Sequence, residues 1–133
     1  MEYVVLDTDV VSRTHKRTLP ASLVRRLVGL APAVSFVTAG ELEKWAVIYS
    51  WGRARREALD RWVGGMPQLE YSGEVARVWG RMAGEAVRRG RPRQPNDMWI
   101  AACCIVDGLP LATLNVKDYE DFVEHHGLVL VTA

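Results

Sequence analysis

Five short apolar runs punctuate this chain, and stretches with helical spacing separate most of them. The runs cover residues 3–6, 33–37, 67–72, 111–114 and 128–131, each short, bounded by polar or turn-forming residues, and read as strands. Leu23, Leu27 and Leu30 give a helical stripe over residues 21–30, and Leu42, Trp45, Ala46 and Tyr49 give one over 38–49. Val75, Trp79, Met82, Ala83 and Ala86 mark a helix over 72–89, and Ile100, Ala101 and Cys104 one over 97–106. Strands alternating with helices demand a mostly parallel sheet covered on both faces, because each helix must bury its apolar stripe on the sheet. In such sheets, sites form beyond the carboxyl ends of the strands.

At 133 residues the chain holds one core, so a single domain over residues 1–133 and one active site are expected. Apolar residues make up 49% and charged residues 25%, with no low-complexity tract, a balance that folds. The longest apolar runs fall far short of the ~20 residues of a membrane span, and residues 1–6 lack the pattern of a secretory signal. A cytoplasmic protein without membrane contact is expected. Cys103 and Cys104 are adjacent, a poor geometry for a disulfide, and read as core packing. Although the net charge is only +1, nearly all the positive charge is arginine, gathered in residues 13–26, 53–61 and 77–93. The planar guanidinium suits phosphate, although such stretches are also how solvated helix faces look.

Acids follow the strands. Asp7 comes directly after the first, Glu41 lies in the turn of helix after the second, Asp97 opens the helix before the fourth, and Asp118 follows the fourth. Each has a structural explanation when taken alone: Thr38-x-x-Glu41 matches a capping box, and Asp7, Asp97 and Asp118 suit helix starts. No rule of capping, however, requires carboxylates after three strands and at the start of the intervening helix.

Four segments then resemble the PIN-domain family, and within it the VapC-like toxins of type II toxin-antitoxin systems. They are Leu6-Asp7-Thr8-Asp9-Val10-Val11-Ser12, Thr38-Ala39-Gly40-Glu41-Leu42, Asn96-Asp97-Met98-Trp99-Ile100-Ala101-Ala102 and Ala112-Thr113-Leu114-Asn115-Val116-Lys117-Asp118-Tyr119, in order through almost the whole chain. The resemblance implies a PIN-like three-layer sandwich, with a mostly parallel central sheet of about five strands flanked by helices. It implies an endoribonuclease toxin, a homodimer held inactive by a cognate VapB-like antitoxin, cutting tRNA or ribosomal RNA and thereby inhibiting translation. Asp7, Glu41 and Asp97 match the acidic triad and Asp118 the fourth acid, with Thr8, Thr113 and Asn115 in supporting positions. Asn115 stands where many relatives carry aspartate, so the fourth metal-site residue is either Asn115 or Asp118. Trp45 stands where many relatives have a small residue.

Two carboxylates about 5 Å apart repel by roughly 3 kcal/mol at an effective dielectric near 20, and a bound cation reverses that sign. An all-oxygen donor set favours Mg²⁺ or Mn²⁺ over zinc; His15, His125 and His126 are scattered and read as surface residues. Such an ion suits phosphodiester hydrolysis. Arg77, Arg81 and Arg88 share one helix face, and with Arg89, Arg91 and Arg93, just before Asp97, they form a candidate strip for the RNA backbone. Two rivals remain open at this point. Val5-Leu6-Asp7-Thr8-Asp9 is similar to the strand end of haloacid-dehalogenase-like phosphotransfer enzymes, with Asp7 as nucleophile, and a PIN-like module could bind RNA without cutting it.

Overall fold

The computed structural model describes residues 2–133. Strands β1 (Tyr3–Leu6), β2 (Ala31–Ser35), β3 (Gln68–Leu69), β4 (Leu111–Ala112) and β5 (Leu130–Val131) form one sheet in the order β3-β2-β1-β4-β5. All four pairings are parallel. Helices α1 (Thr8–Lys16), α2 (Ala21–Leu27), α3 (Phe36–Ile48) and α4 (Arg53–Gly64) precede β3, and α5 (Gly73–Arg88), α6 (Pro95–Asp107) and α7 (Val116–His126) follow it.

Successive side chains of a strand point to opposite faces, and β1 feeds both. Val4 and Leu6 pack with Val10, Leu23, Leu42 and Leu59 from α1 to α4. Val5 packs with Val75, Met82, Ile100 and Phe122 from α5 to α7. The three layers expected from the sequence are therefore present, and the core lies in two slabs either side of the sheet. Cys103 and Cys104 sit in the second slab, 1% and 0% exposed. Burial pushes the Cys103 thiol up to about 11 and that of Cys104 further in the same direction.

Several boundaries differ from the sequence reading, for local reasons. The second strand ends at Ser35, not at 37, because the Ser35 hydroxyl accepts the Thr38 N–H at 3.2 Å and so caps α3. Phe36 and Val37 become its first turn, and Thr38 and Glu41 lie inside the helix; the capping box does not form. The third, fourth and fifth strands are each two residues long, shorter than the runs that announced them. Helices α1, α4 and α7 had no apolar stripe in that reading, although Asp7 and Asp118 suited the starts of the first and last. The first is rich in β-branched residues, which favour strand, yet Asp7 starts it by accepting the Thr8 N–H.

His126 is also not a surface residue: its side chain is 11% exposed beside Glu85. The strip of arginines divides. Arg89 donates to Asp121 at 2.6 Å and Arg93 lies 3.7 Å from the same carboxylate, which is 4% exposed. These two tie the loop before α6 to α7 and do not face solvent as the sequence reading supposed, whereas Arg77, Arg81, Arg88 and Arg91 are exposed.

Candidate active site

The chain builds the sheet outward from β1 in one direction, through β2 to β3, and then in the other, through β4 to β5. That reversal leaves a crevice at the carboxyl ends of β1 and β4. Asp7, the first residue past β1, and Thr113, the first past β4, meet there: the Thr113 hydroxyl donates to Asp7 Oδ2 at 2.8 Å. The Asn115 N–H in turn donates to Thr113 Oγ1 at 3.0 Å, fixing the hydroxyl's orientation.

Asp7 is 5% exposed and its other oxygen, Oδ1, accepts from the Thr8 N–H at 2.8 Å and from the Tyr119 hydroxyl at 3.2 Å. Burial nevertheless raises its pKa above the usual carboxylate value, outweighing the hydrogen bonds from Thr113, Thr8 and Tyr119. The cap reading and the site reading of Asp7 both hold, because a side chain that ends the strand and starts the helix necessarily stands at the crevice.

Glu41, on the second turn of α3, faces α1. Its Oε1 accepts from the Thr8 hydroxyl at 2.7 Å and its Oε2 from the Asn96 amide at 3.5 Å. Thr8 Oγ1 lies 3.0 Å from Thr38 Oγ1, and Ser35 donates to Thr38 at 3.4 Å. A hydroxyl has one hydrogen, and that of Thr8 is given to Glu41. Thr38 must then donate to Thr8, so Ser35, Thr38 and Thr8 form a chain of hydroxyls all pointing toward the carboxylate.

Asp97 enters on the third residue of α6, whose cap is the Gln94 side chain accepting the Asp97 N–H at 3.0 Å. Its own carboxylate is therefore free of capping and receives the Tyr119 hydroxyl at 3.3 Å. Its pKa is pushed up to about 6, first by burial and then by the charges of Asp118, Asp7 and Glu41. The other three sequence-predicted acids thus each act on Asp97. Asp118 is exposed on the first turn of α7. Asn115 donates to Asp9 Oδ2 at 2.9 Å, and the Asp118 charge acts on Asp97.

Tyr119 is the main residue that sequence reasoning left without a role. It is 0% exposed and its single hydroxyl stands between Asp7 and Asp97. Burial and the two carboxylates raise its pKa far above a normal phenol, so it remains a donor. Its signal was its place immediately after Asp118, three residues before Phe122 on a helical stripe. Asn96 and Asp9 were also quoted in the motif segments without being assigned contacts.

The donors at this mouth are carboxylate, hydroxyl and amide oxygens; no arginine, lysine or histidine contact with Asp7, Glu41 or Asp97 occurs among the described residues. That chemistry fits a hard divalent cation. Among the described residues, no three acidic, histidine or cysteine side chains stand close enough together to enclose an ion in this arrangement.

Comparisons with known proteins agree with this architecture. No family model matches the chain. Ribonuclease VapC5 of Mycobacterium tuberculosis (strain ATCC 25618 / H37Rv) is 33% identical over 112 residues, covering 82% of this chain and 80% of that protein. Among solved structures, VapBC-5 from Mycobacterium tuberculosis, of the VapBC family of toxin-antitoxin systems, superposes with a TM-score of 0.77 at 27% identity, covering 100% of both chains. VapBC2 from Rickettsia felis, bound to a DNA fragment from its promoter, shares the fold with a TM-score of 0.80 at 21% identity, covering 99% of this chain and 98% of that one. The haloacid-dehalogenase-like alternative falls with these matches. With an aspartate at the β1 end, a threonine at the β4 end and 33% identity to VapC5 over 112 aligned residues, the chain belongs to the VapC-like toxins of the PIN-domain family.

Proposed function

We propose that this chain is a Mg²⁺- or Mn²⁺-dependent endoribonuclease toxin that hydrolyses RNA phosphodiester bonds. The observation that carries the reading is that one hydroxyl, that of Tyr119, reaches both Asp7 and Asp97, while Thr8 joins Asp7 to Glu41, so three acids from separate elements share one crevice. The name of the VapC5 relative, a ribonuclease, supports it. Carboxylates that share a crevice repel one another, and a divalent ion held between them would offset that repulsion while serving phosphodiester hydrolysis.

Asp7, Glu41, Asp97 and Asp118 would hold the ion, which when bound neutralises charge on the phosphodiester and lowers the pKa of an attacking water. The protein's own part is positional. Thr113, Thr8 and Tyr119 fix Asp7, and Thr8 and Asn96 fix Glu41, so neither carboxylate is free to turn away. Asp97 and Asp118 are less buried than Asp7 and would face the RNA. In the reaction, water oxygen adds to phosphorus and the bond from phosphorus to O3′ breaks, leaving a 3′-hydroxyl and a 5′-phosphate. The exposed arginines Arg77, Arg81, Arg88 and Arg91 would meet the RNA backbone. The neighbouring VapBC structures support a VapB-like antitoxin as partner, and a homodimer acting on tRNA or ribosomal RNA in the cytoplasm, with inhibited translation as the outcome, completes the reading. No helix among the described residues is long and apolar enough to cross a membrane.

Incubation with total RNA, with and without Mg²⁺ or Mn²⁺, tests this directly. The wild type should release fragments with 5′-phosphates only when the ion is present, and Asp97→Asn should release none. Equal cleavage by the variant, or no cleavage by the wild type with either ion, would overturn the reading.

A further inference from the structure

Beside the acids a groove of about 510 Å³ opens between α1, α3 and the start of α4. Its two long walls are unlike. On α1, Asp9, Arg13 and Lys16 follow one another at helical spacings of four and three, and opposite them stand Trp45 of α3 and Tyr49, its C-cap, four and eight positions after Glu41. Each wall is thus one stripe of one helix, cationic on one side and aromatic on the other.

Both stripes start at the active site. Asp9 is held by Asn115 and lies two residues after Asp7, while Glu41 is one of the clustered acids. At 1.5 Å of rise per residue, the Tyr49 ring sits about 12 Å along α3 from Glu41, and Lys16 sits about 10 Å along α1 from Asp9. Tyr49 is 66% exposed, a large ring left in solvent with no core to serve. At the far end the Arg55 guanidinium stacks over Trp51 at 3.9 Å from the ring centre, and its buried Nε has no hydrogen-bond partner.

We propose that this groove is the track of single-stranded RNA on one side of the scissile bond, with bases stacked on Trp45 and Tyr49 and phosphates held by Arg13, Lys16 and Arg55. The inference deepens the nuclease reading and rests on it. Flat rings accept any base and cations accept any phosphate, so such a track would grip a strand without reading its sequence. Its Asp9 end is tied through Asn115 and Thr113 to Asp7, so a strand in the groove would reach the crevice there. A duplex presents its bases stacked inside and cannot offer them to Tyr49. An acidic peptide would also match the cations and is the competing occupant that the experiment distinguishes.

The test uses the full chain carrying Asp97→Asn, so that RNA is bound and not cut, and a short fluorescein-labelled single-stranded RNA followed by anisotropy over a range of salt. Tyr49→Ala should weaken binding about tenfold, and Tyr49→Phe should restore it, because stacking needs the ring and not the hydroxyl. Arg13→Glu with Lys16→Glu should flatten the slope of log affinity against log salt by about 1.4, the loss of two phosphate contacts on a single strand. A double-stranded RNA of the same length should bind the Tyr49 variants and their parent alike. Unchanged single-strand binding in all variants, with an otherwise wild-type chain that cleaves RNA, would overturn the groove and leave the nuclease reading standing. Variants that lose a synthetic acidic peptide but keep RNA would overturn it in favour of a protein partner. A wild-type chain that cuts no RNA with either ion would remove both.

Discussion

The hydroxyl of Tyr119 lies 3.2 Å from Oδ1 of Asp7, although 112 positions separate the two residues in the chain. The same oxygen reaches Asp97 at 3.3 Å, so one phenolic hydrogen is divided between two carboxylates that would otherwise face each other with nothing between. Tyr119→Phe keeps the ring that packs on Phe122 and removes only that hydrogen. Stability should fall by about 1 kcal/mol. Cleavage should need a severalfold higher Mg²⁺ concentration for half its maximum, with the maximum itself nearly restored at saturation. A titration curve superimposable on the wild type would remove Tyr119 from the site's organisation.

The charge on Asp97 costs the folded chain stability, and the sign of that cost follows from the direction of the pKa shift. Its pKa rises from 3.8 when unperturbed to about 6 in the folded chain, so the folded state binds its proton more tightly than the unfolded state does. The penalty is absent below the unfolded value, grows through the interval between the two, and is complete above about 6. After allowing for partial contact with solvent it amounts to about 2 kcal/mol, against about 0.5 kcal/mol for the helix-dipole benefit of a charge at this position. In EDTA at about pH 7, Asp97→Asn should therefore melt above the wild type, and the gap should close near pH 4. A lower melting temperature for the variant at neutral pH would show that Asp97 serves α6 before it serves the site.

Asp121 behaves in the opposite sense. Burial opposes its ionisation, but the Arg89 hydrogen bond, followed by the charges of Arg89, Arg93 and His125, holds its carboxyl below the usual value. This stability is present above the unfolded carboxylate range and is lost as pH falls through the depressed folded value. Asp121→Asn leaves two guanidinium groups without their acid and should cost about 3 kcal/mol, seen as a lower denaturation midpoint in urea at neutral pH. Because Arg89 and Arg93 lie on the segment leading to α6, cleavage should fall as well, even at temperatures where the variant is fully folded. Wild-type stability in this variant would mean that the buried pair is dispensable.

Arg88 and Arg91 are the exposed arginines of the loop side before Asp97. Reversing both to glutamate should weaken RNA cleavage at low salt and make it less sensitive to added salt, with little change in melting temperature. Unchanged cleavage and unchanged salt response would take this strip out of substrate binding.

The acids were legible in the sequence because a parallel sheet forces residues at successive strand ends onto one edge, and Asp7, Glu41 and Asp118 follow strands whose apolar runs are plain. Their supports were not legible in the same way. That Thr8 points at Glu41 depends on how α1 lies across α3, which no local pattern encodes, and α1 itself was hidden by Thr8, Val10, Val11 and Thr14, residues that suit a strand as well. Arg89 and Arg93 looked like every other arginine around them; only the burial of Asp121, set by α7 packing, separates them. Residues 33–37 misled for a related reason: Val37 is as strand-like as Val34, and the boundary is decided by the Ser35 hydroxyl.

Cys103 and Cys104 lie on the buried part of α6 with thiols held protonated at neutral pH. A thiol in that state reacts poorly with alkylating reagents, so maleimide will find these two sulfurs only when the inner slab comes apart. The pair is thus a built-in chemical clock for opening of the fold, and a single cysteine introduced on the surface can carry a dye without either natural one competing for it.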